Sequence, residues 1–293
     1  MGLDRSNYPM LIARAAELIK GFANYGNPID IALQRLFRRE GEMTIVDRRT
    51  RVSVQALRRS YHMFGETWYS HDYDVAGCPI RKDDVVLDIG ANQGFFTCYA
   101  AHRGARVYAF EPHPMSFERL KKNAASNGYA DRVKAECLAI GDFEGEANLF
   151  CSSHLDGGAD TINAQHAAAV TRMGKDQREL PVRVARLSSV FPSDVNVRLL
   201  KMDCEGAELA ILKDLVNPAQ FESISIEFHP DAYPVESLVE TLMSYGTHQI
   251  YLLHGYIIHA IRNDILIGFV KPLKTQVPNG ISSQVSGTTT HGQ

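Results

Sequence analysis

From residue 85 onward the chain alternates short apolar runs with amphipathic segments, and few folds tolerate that alternation. Runs suited to strands fall at 85–89, 106–110, 133–139, 197–202, 223–228, 248–253 and 265–270, with helical periodicity at 94–103, 114–127, 206–216 and 235–245. Near-continuous apolar strands separated by helices predict an α/β fold whose mainly parallel sheet is covered on both faces. A further strand pair near 146–151 and 181–187 brackets the polar stretch SSHLDGGADTINAQH, expected as a mobile loop over a site. No internal repeat is visible.

Residues 1–80 read as a mainly helical extension. Leu11, Ala15, Leu18 and Ile19 fall at helical spacing, and Asn27 followed by Pro28 suits the cap and first turn of a helix through Phe37. The aromatic segment 60–74 holds the only tryptophan, Trp68, and is expected to be the seam between extension and core. Residues 81–275 form the main domain, and the tail 276–293, which lacks apolar periodicity, is expected to be disordered. A net charge of -3 argues against general affinity for nucleic acid. The exception is local: residues 35–59 carry eight arginines against three acids, a net of +5, read as a solvated helical face with an anionic partner as the alternative. No apolar run approaches the roughly 18 residues of a membrane span. Asp4, Arg5, Arg14, Glu17 and Lys20 interrupt the stretch where a signal peptide would be apolar, so a cytoplasmic protein is expected. Five cysteines without a CxxC pair suggest structural thiols in a reducing compartment.

The turn that follows the first strand of the alternating region, in VVLDIGANQGFF (85–96), sits where an open parallel sheet binds its ligand. Glycine permits φ above zero and close approach to the backbone, and the amides opening the next helix favour an electron-rich group. A dinucleotide turn would read GxGxxG, but Asn92 and Phe95 stand where its second and third glycines belong, and no GKS or GKT follows for a phosphate loop. The remaining ligand is S-adenosylmethionine, whose turn has acidic-x-Gly-x-Gly-x-Gly form, here Asp88, Gly90, Asn92 and Gly94. Glu111, followed by Pro112, ends the second strand 17 residues beyond Gly94, placed to accept hydrogen bonds from both ribose hydroxyls. At the end of the third strand Ile140 and Asp142 suit an adenine face and its exocyclic amine.

These residues resemble the FkbM family of S-adenosylmethionine-dependent methyltransferases through VLDIGANQGFF (86–96), AFEPHP (109–114), AIGD (139–142), LLKMDCEGAE (199–208) and ISIEFHP (224–230). The resemblance implies the class I methyltransferase fold, a Rossmann-like sheet of seven strands with the last antiparallel, and O-methylation of a saccharide or secondary metabolite. It departs in one place: Leu187 is followed by Ser188 and Ser189 where the family commonly has a Leu-Asp pair. Residues 1–80 lie outside it.

Methyl transfer to a hydroxyl needs alignment and a proton acceptor, which directs attention to the ends of the fourth and fifth strands. Asp203 is placed to orient the methionine amino group or the acceptor, and Glu205 to serve the acceptor or cap the following helix. Glu227 and His229 alternate with Phe228 and can project from one side. His229, as a neutral imidazole, is a candidate general base, so that activity would fall as pH drops through its pKa. Lys201 can simply pair with a carboxylate. A magnesium ion held by Asp203 and Glu227 is an alternative that spacing leaves open. An N-methyltransferase and a catalytically silent cofactor-binding regulator are the rival functions. The partner is a small-molecule or glycan acceptor, whose identity has no spacing code, and the oligomeric state is not legible.

Overall fold

The computed structural model of the protein describes residues 24–37, 40–152, 160–172, 177–252 and 256–266. The N-terminal helix expected around Leu11–Ile19 and the tail 276–293 lie outside the described residues, as does part of the polar loop, 153–159.

Seven strands make the central sheet: β3 (Val85–Ile89), β4 (Arg106–Phe110), β5 (Val133–Glu136), β9 (Leu199–Met202), β10 (Ser223–Glu227), β11 (His248–Leu252) and β12 (Ile257–Arg262). Their order is β11-β12-β10-β9-β3-β4-β5, parallel from β10 through β5, with β12 running antiparallel to both neighbours. The middle strands are VVLDI and LLKM, buried at every position, as strands covered on both faces must be. The seventh strand is therefore 257–262 rather than 265–270; Asn263–Leu266 is helical and 267–270 lie outside the described residues. The run 133–139 is also broken, because Ala139–Gly141 leaves the sheet as β6 and pairs instead with β8 (Gln177–Arg186), which carries β7 (Gly145–Ser152) on its other edge. This three-stranded annex carries Ile140 at the rim of the main sheet.

The extension is not helical throughout among the described residues. A helix, α1 (Pro28–Phe37), follows Asn27 as expected, but 42–57 is a hairpin of β1 (Glu42–Val46) and β2 (Ser53–Leu57), each with alternating burial. The arginine-rich stretch thus includes a hairpin whose turn carries Arg48, Arg49 and Arg51. The free edge of β2 is covered by α3 (Pro114–Ser126) and the residue after it. Asn123 and Asn127 exchange side-chain hydrogen bonds of 2.6–2.9 Å with the backbone of Gln55 and Ser53, as a neighbouring strand would.

Nor is the extension a separate body. Trp68 stacks on Phe64 at 5.2 Å, meets Tyr99 edge-on at 5.4 Å and donates to the Phe95 carbonyl, so one hydrophobic core joins Tyr25, Ile45, Phe64 and Trp68 to α2 (Phe95–His102). No helix among the described residues is long and apolar enough to cross a membrane. Because extension and sheet share that core, Trp68→Ala is expected to destabilise the whole protein by about 3–5 kcal/mol while leaving a single unfolding transition in urea. Two separated transitions would show that the extension folds by itself.

Candidate active site

The glycines of the turn answer first to the protein itself. Gly90 has φ +73, and a Cβ there would stand 1.8 Å from the Asp203 carbonyl oxygen; at Gly94, φ +86, it would press on Leu120 of α3. Asp88 lies fully buried beneath, accepting from Thr97 Oγ1 at 2.6 Å and 3.3 Å from the Lys201 ammonium. Asp88 and Gly94 are the underside of the turn. Gln93, also buried, reaches the other way, accepting from the Leu57 amide and donating to Ser60 Oγ, and so binds the turn to the extension.

A cleft of two lobes opens at the carboxyl ends of β3, β4 and β9. The first is bounded by Gly90, Asn92, Glu111, Pro112 and Ile140. Glu111 is buried and accepts from the amides of Asn92 (2.7 Å) and His113 (2.8 Å), one on each oxygen. Burial lifts its carboxyl to about 7 against the pull of those amides. Each oxygen keeps a further lone pair for a vicinal diol, and Pro112, Leu138 and Ile140 supply an apolar slot for a purine. These groups suit the ribose and adenine of S-adenosylmethionine in chemistry. Asp142 does not take part; it is exposed and borders a separate depression with Arg186 and Lys213. The acid at that end of the cleft is Asp160, from the polar loop.

The second lobe shares Gly90, Asn92, Asp203 and Glu205 with the first and adds Glu66, Tyr73, Lys201 and Glu227. Parallel pairing of β9 with β10 puts Asp203 and Glu227 side by side at neighbouring strand ends. Tyr73, from the extension, places its hydroxyl 3.0 Å from Asp203 Oδ2 and 2.8 Å from Glu227 Oε2. The charge of Asp203, then burial, raises Glu227 to about 8. Lys201 donates to the Gly90 carbonyl at 2.9 Å and lies 3.7 Å from Asp203, so it does pair with carboxylates. Burial works against its charge, but Asp88 and Asp203 raise its pKa to about 12.

Glu205 faces the cleft in a left-handed backbone conformation, φ 53, and does not cap the following helix. Glu208, at the start of α5 (Glu208–Lys213), holds the turn before the helix, accepting from the Cys204 and Gly206 amides and from the Tyr233 hydroxyl. Two histidines hold Glu205 Oε2: His166 Nε2 at 2.8 Å and His229 Nε2 at 3.2 Å. His166 comes from α4 (Ala164–Arg172), with its other nitrogen 2.9 Å from Asp231.

His229 departs from its expected role. Burial disfavours its charge, but the Glu208 hydrogen bond and the Glu205, Glu208 and Asp203 charges overcome that and raise its pKa to about 10. It is an imidazolium at neutral pH and has no lone pair with which to take a proton. A divalent metal fits poorly for related reasons. Asp203, Glu205 and His229 bring candidate ligand atoms within 4.8 Å of one another, but both ring nitrogens of His229 face carboxylates. Between Asp203 and Glu227 stands the Tyr73 hydroxyl.

Sequence reasoning missed Tyr73, Asp160, His166 and Glu208. Only Glu208 left a signal: Ala207 cannot cap a helix, so the turn amides of CEGAE needed another acceptor. A parallel sheet with one antiparallel strand, a glycine turn at its switch point and a nucleoside-shaped lobe define the S-adenosylmethionine-dependent class I methyltransferase fold. Residues 88–257, more than half of the chain, match the family described as "Methyltransferase FkbM domain", and the chain belongs to that family. The methyltransferase sdnD of Sordaria araneosa is 29% identical over 196 residues, 59% of this chain and 74% of that protein. The 31-O-demethyl-FK506 methyltransferase FkbM of Streptomyces tacrolimicus is 32% identical over 174 residues, 51% of this chain and 66% of that one. The hexuronic acid methyltransferase AglP of Haloferax volcanii is 25% identical over 195 residues, 62% and 74% of the two chains.

The His229 shift has a signed consequence. Its folded-state pKa of about 10 lies above the ordinary 6.5, so the stability it contributes is fully present below pH 6.5 and lost as pH rises through about 10. Urea denaturation of wild type and His229→Gln at pH 6, 8 and 10 is expected to show a gap that narrows with rising pH. A constant gap would mean that the ring is neutral in the folded protein.

Proposed function

We propose that the protein transfers the methyl group of S-adenosylmethionine to a hydroxyl oxygen, the acceptor being a saccharide or a small secondary metabolite. One observation carries this reading: a lobe suited to the nucleoside opens directly onto a second lobe lined by Asp203, Glu205 and Glu227. The cofactor supplies an electrophilic methyl group, so the protein needs to align an acceptor and receive its proton. Carboxylates at the ends of β9 and β10 are placed for that. Glu111 is the ribose acceptor, Pro112 and Ile140 bound the adenine, and Gly90 and Asn92 present backbone to the rest of the cofactor. Oxygen as the atom methylated is supported by the name of the FkbM relative, and a saccharide by the name of AglP.

Calorimetric titration tests the reading: binding of S-adenosylhomocysteine without binding of NAD is expected, and the reverse would overturn it. Glu111→Ala should weaken S-adenosylhomocysteine binding about tenfold or more, since a hydrogen bond to a charged group is worth about 1.5–3 kcal/mol. The structure adds a second effect, because the same change strips acceptors from the Asn92 and His113 amides, and the thermal midpoint should fall with the affinity. Unchanged affinity would place the ribose elsewhere. With an acceptor in hand, carbon-13 spectra of the labelled product distinguish an oxygen-bound from a nitrogen-bound methyl group.

A further inference from the structure

In the second lobe two carboxyl groups share one hydroxyl. Tyr73 Oη lies within 3.0 Å of both Asp203 Oδ2 and Glu227 Oε2, and it has a single hydrogen to give. With both acids ionised, one of these contacts would set lone pairs against each other beside two like charges. Both contacts become hydrogen bonds when one acid is protonated and donates to Tyr73 Oη while Tyr73 donates to the other, and the arrangement of interest has the proton on Glu227.

The surrounding charges select that arrangement over its mirror. Lys201 lies 3.7 Å from Asp203 Oδ2, and its cation favours a charge there. Glu66, on the helical segment before Tyr73, and Glu205, on the turn after β9, press on the same cluster. A hydrogen bond from Tyr73 and the His229 cation each pull Glu227 toward ionisation, but the Asp203 charge and burial outweigh both and leave Glu227 at about 8. Tyr73 is buried, and burial with the two acids beside it pushes its phenol well above the ordinary range, so it keeps its hydrogen. Its ring sits edge-on to Phe96 at 5.6 Å, which fixes the hydroxyl in place.

We propose that Tyr73 is a positioning residue for methyl transfer: its hydroxyl joins Asp203 and Glu227 into a unit holding one proton and leaves Asp203 as the carboxylate that receives the acceptor's proton. The residue precedes the stretch matched by the family, 88–257, so this chain brings it from its extension. In the step it serves, a lone pair of the acceptor oxygen forms the O–CH₃ bond as the S–CH₃ bond breaks with its electron pair left on sulfur. The hydroxyl proton passes to Asp203. The proposal rests on the O-methyl-transfer reading.

Calorimetry with S-adenosylhomocysteine tests that reading by itself, and a wild-type protein that does not bind removes both. With binding established, protein carrying carbon-13 at the glutamate carboxyls is titrated while saturated with S-adenosylhomocysteine. The glutamate signal that Glu227→Gln removes is expected to titrate near pH 8 in wild type, apart from that of Glu111 near 7. In Tyr73→Phe its midpoint should move by about half a pH unit or more, with S-adenosylhomocysteine affinity within about threefold of wild type. On an acceptor that supports turnover, Tyr73→Phe should lower kcat about tenfold or more with little change in KM for S-adenosylmethionine. A Glu227 that titrates in the usual carboxylate range, or that ignores the loss of the Tyr73 hydroxyl, overturns the proposal. So does disappearance of the titration on adding Mg²⁺, which would assign the pair to a cation.

Discussion

The Lys201 ammonium lies beneath Gly90, buried between two neighbouring strands, and its partners fix most of what surrounds it. An ammonium taken out of water costs several kcal/mol unless oxygens replace the lost solvent. Here the Gly90 carbonyl, Asp88 and Asp203 do so, and Asp88 is in turn a fully buried acid that Lys201 and Thr97 make tolerable. Asp88 and Lys201 are register partners on β3 and β9, so the pair ties the strand that leads into the glycine turn to the strand that leads into Asp203. Shifting either strand by one residue would bury charges without partners. The close approach of Gly90 to the Asp203 backbone follows from this pairing, and so does the position of the cleft between them.

Around this centre the acids are kept apart by different means. Glu205 has two imidazole neighbours from separate elements, α4 and the segment after β10, whereas Asp203 and Glu227 are reconciled by a phenol and a proton. Glu208 spends its charge on turn amides and the Tyr233 hydroxyl. Four carboxyl groups within a few residues of two strand ends therefore occupy four electrostatic environments, and only those of Asp203, Glu205 and Glu227 open onto the cleft.

Most of the sheet was legible because its strands are buried on both faces and announce themselves as uninterrupted apolar runs. The eye was misled where burial is one-sided: β1 and β2 alternate over only five residues each amid arginines, and β12 reads IIHAIR, with a histidine whose ring hydrogen-bonds the Asp72 carbonyl. At the site, residues carried by the glycine turn and the strand ends could be read from spacing, and Gly90, Asn92, Glu111, Pro112 and Ile140 do line the cleft. Asp142 could not be told from Asp160, because which of two acids 18 residues apart reaches the cleft is decided by the annex that β6 joins. In the sequence His229 stands without its neighbours, and an isolated imidazole suits a base. Its charge is set by Glu205 and Glu208, and nothing in the order of residues says that both would face the same ring.

Glu205 stands at φ 53, immediately before Gly206 at φ 101, so a long acidic side chain occupies backbone that a glycine would take without strain. Its neighbours keep it there: Thr161 donates to its carbonyl and Asn163 to the carbonyl of Gly206. A left-handed conformation costs an ordinary residue roughly 1–2 kcal/mol. A glycine at 205 would relieve that strain and at the same time take the carboxylate away from His166 and His229, so the turn and the two rings set opposite demands on this residue.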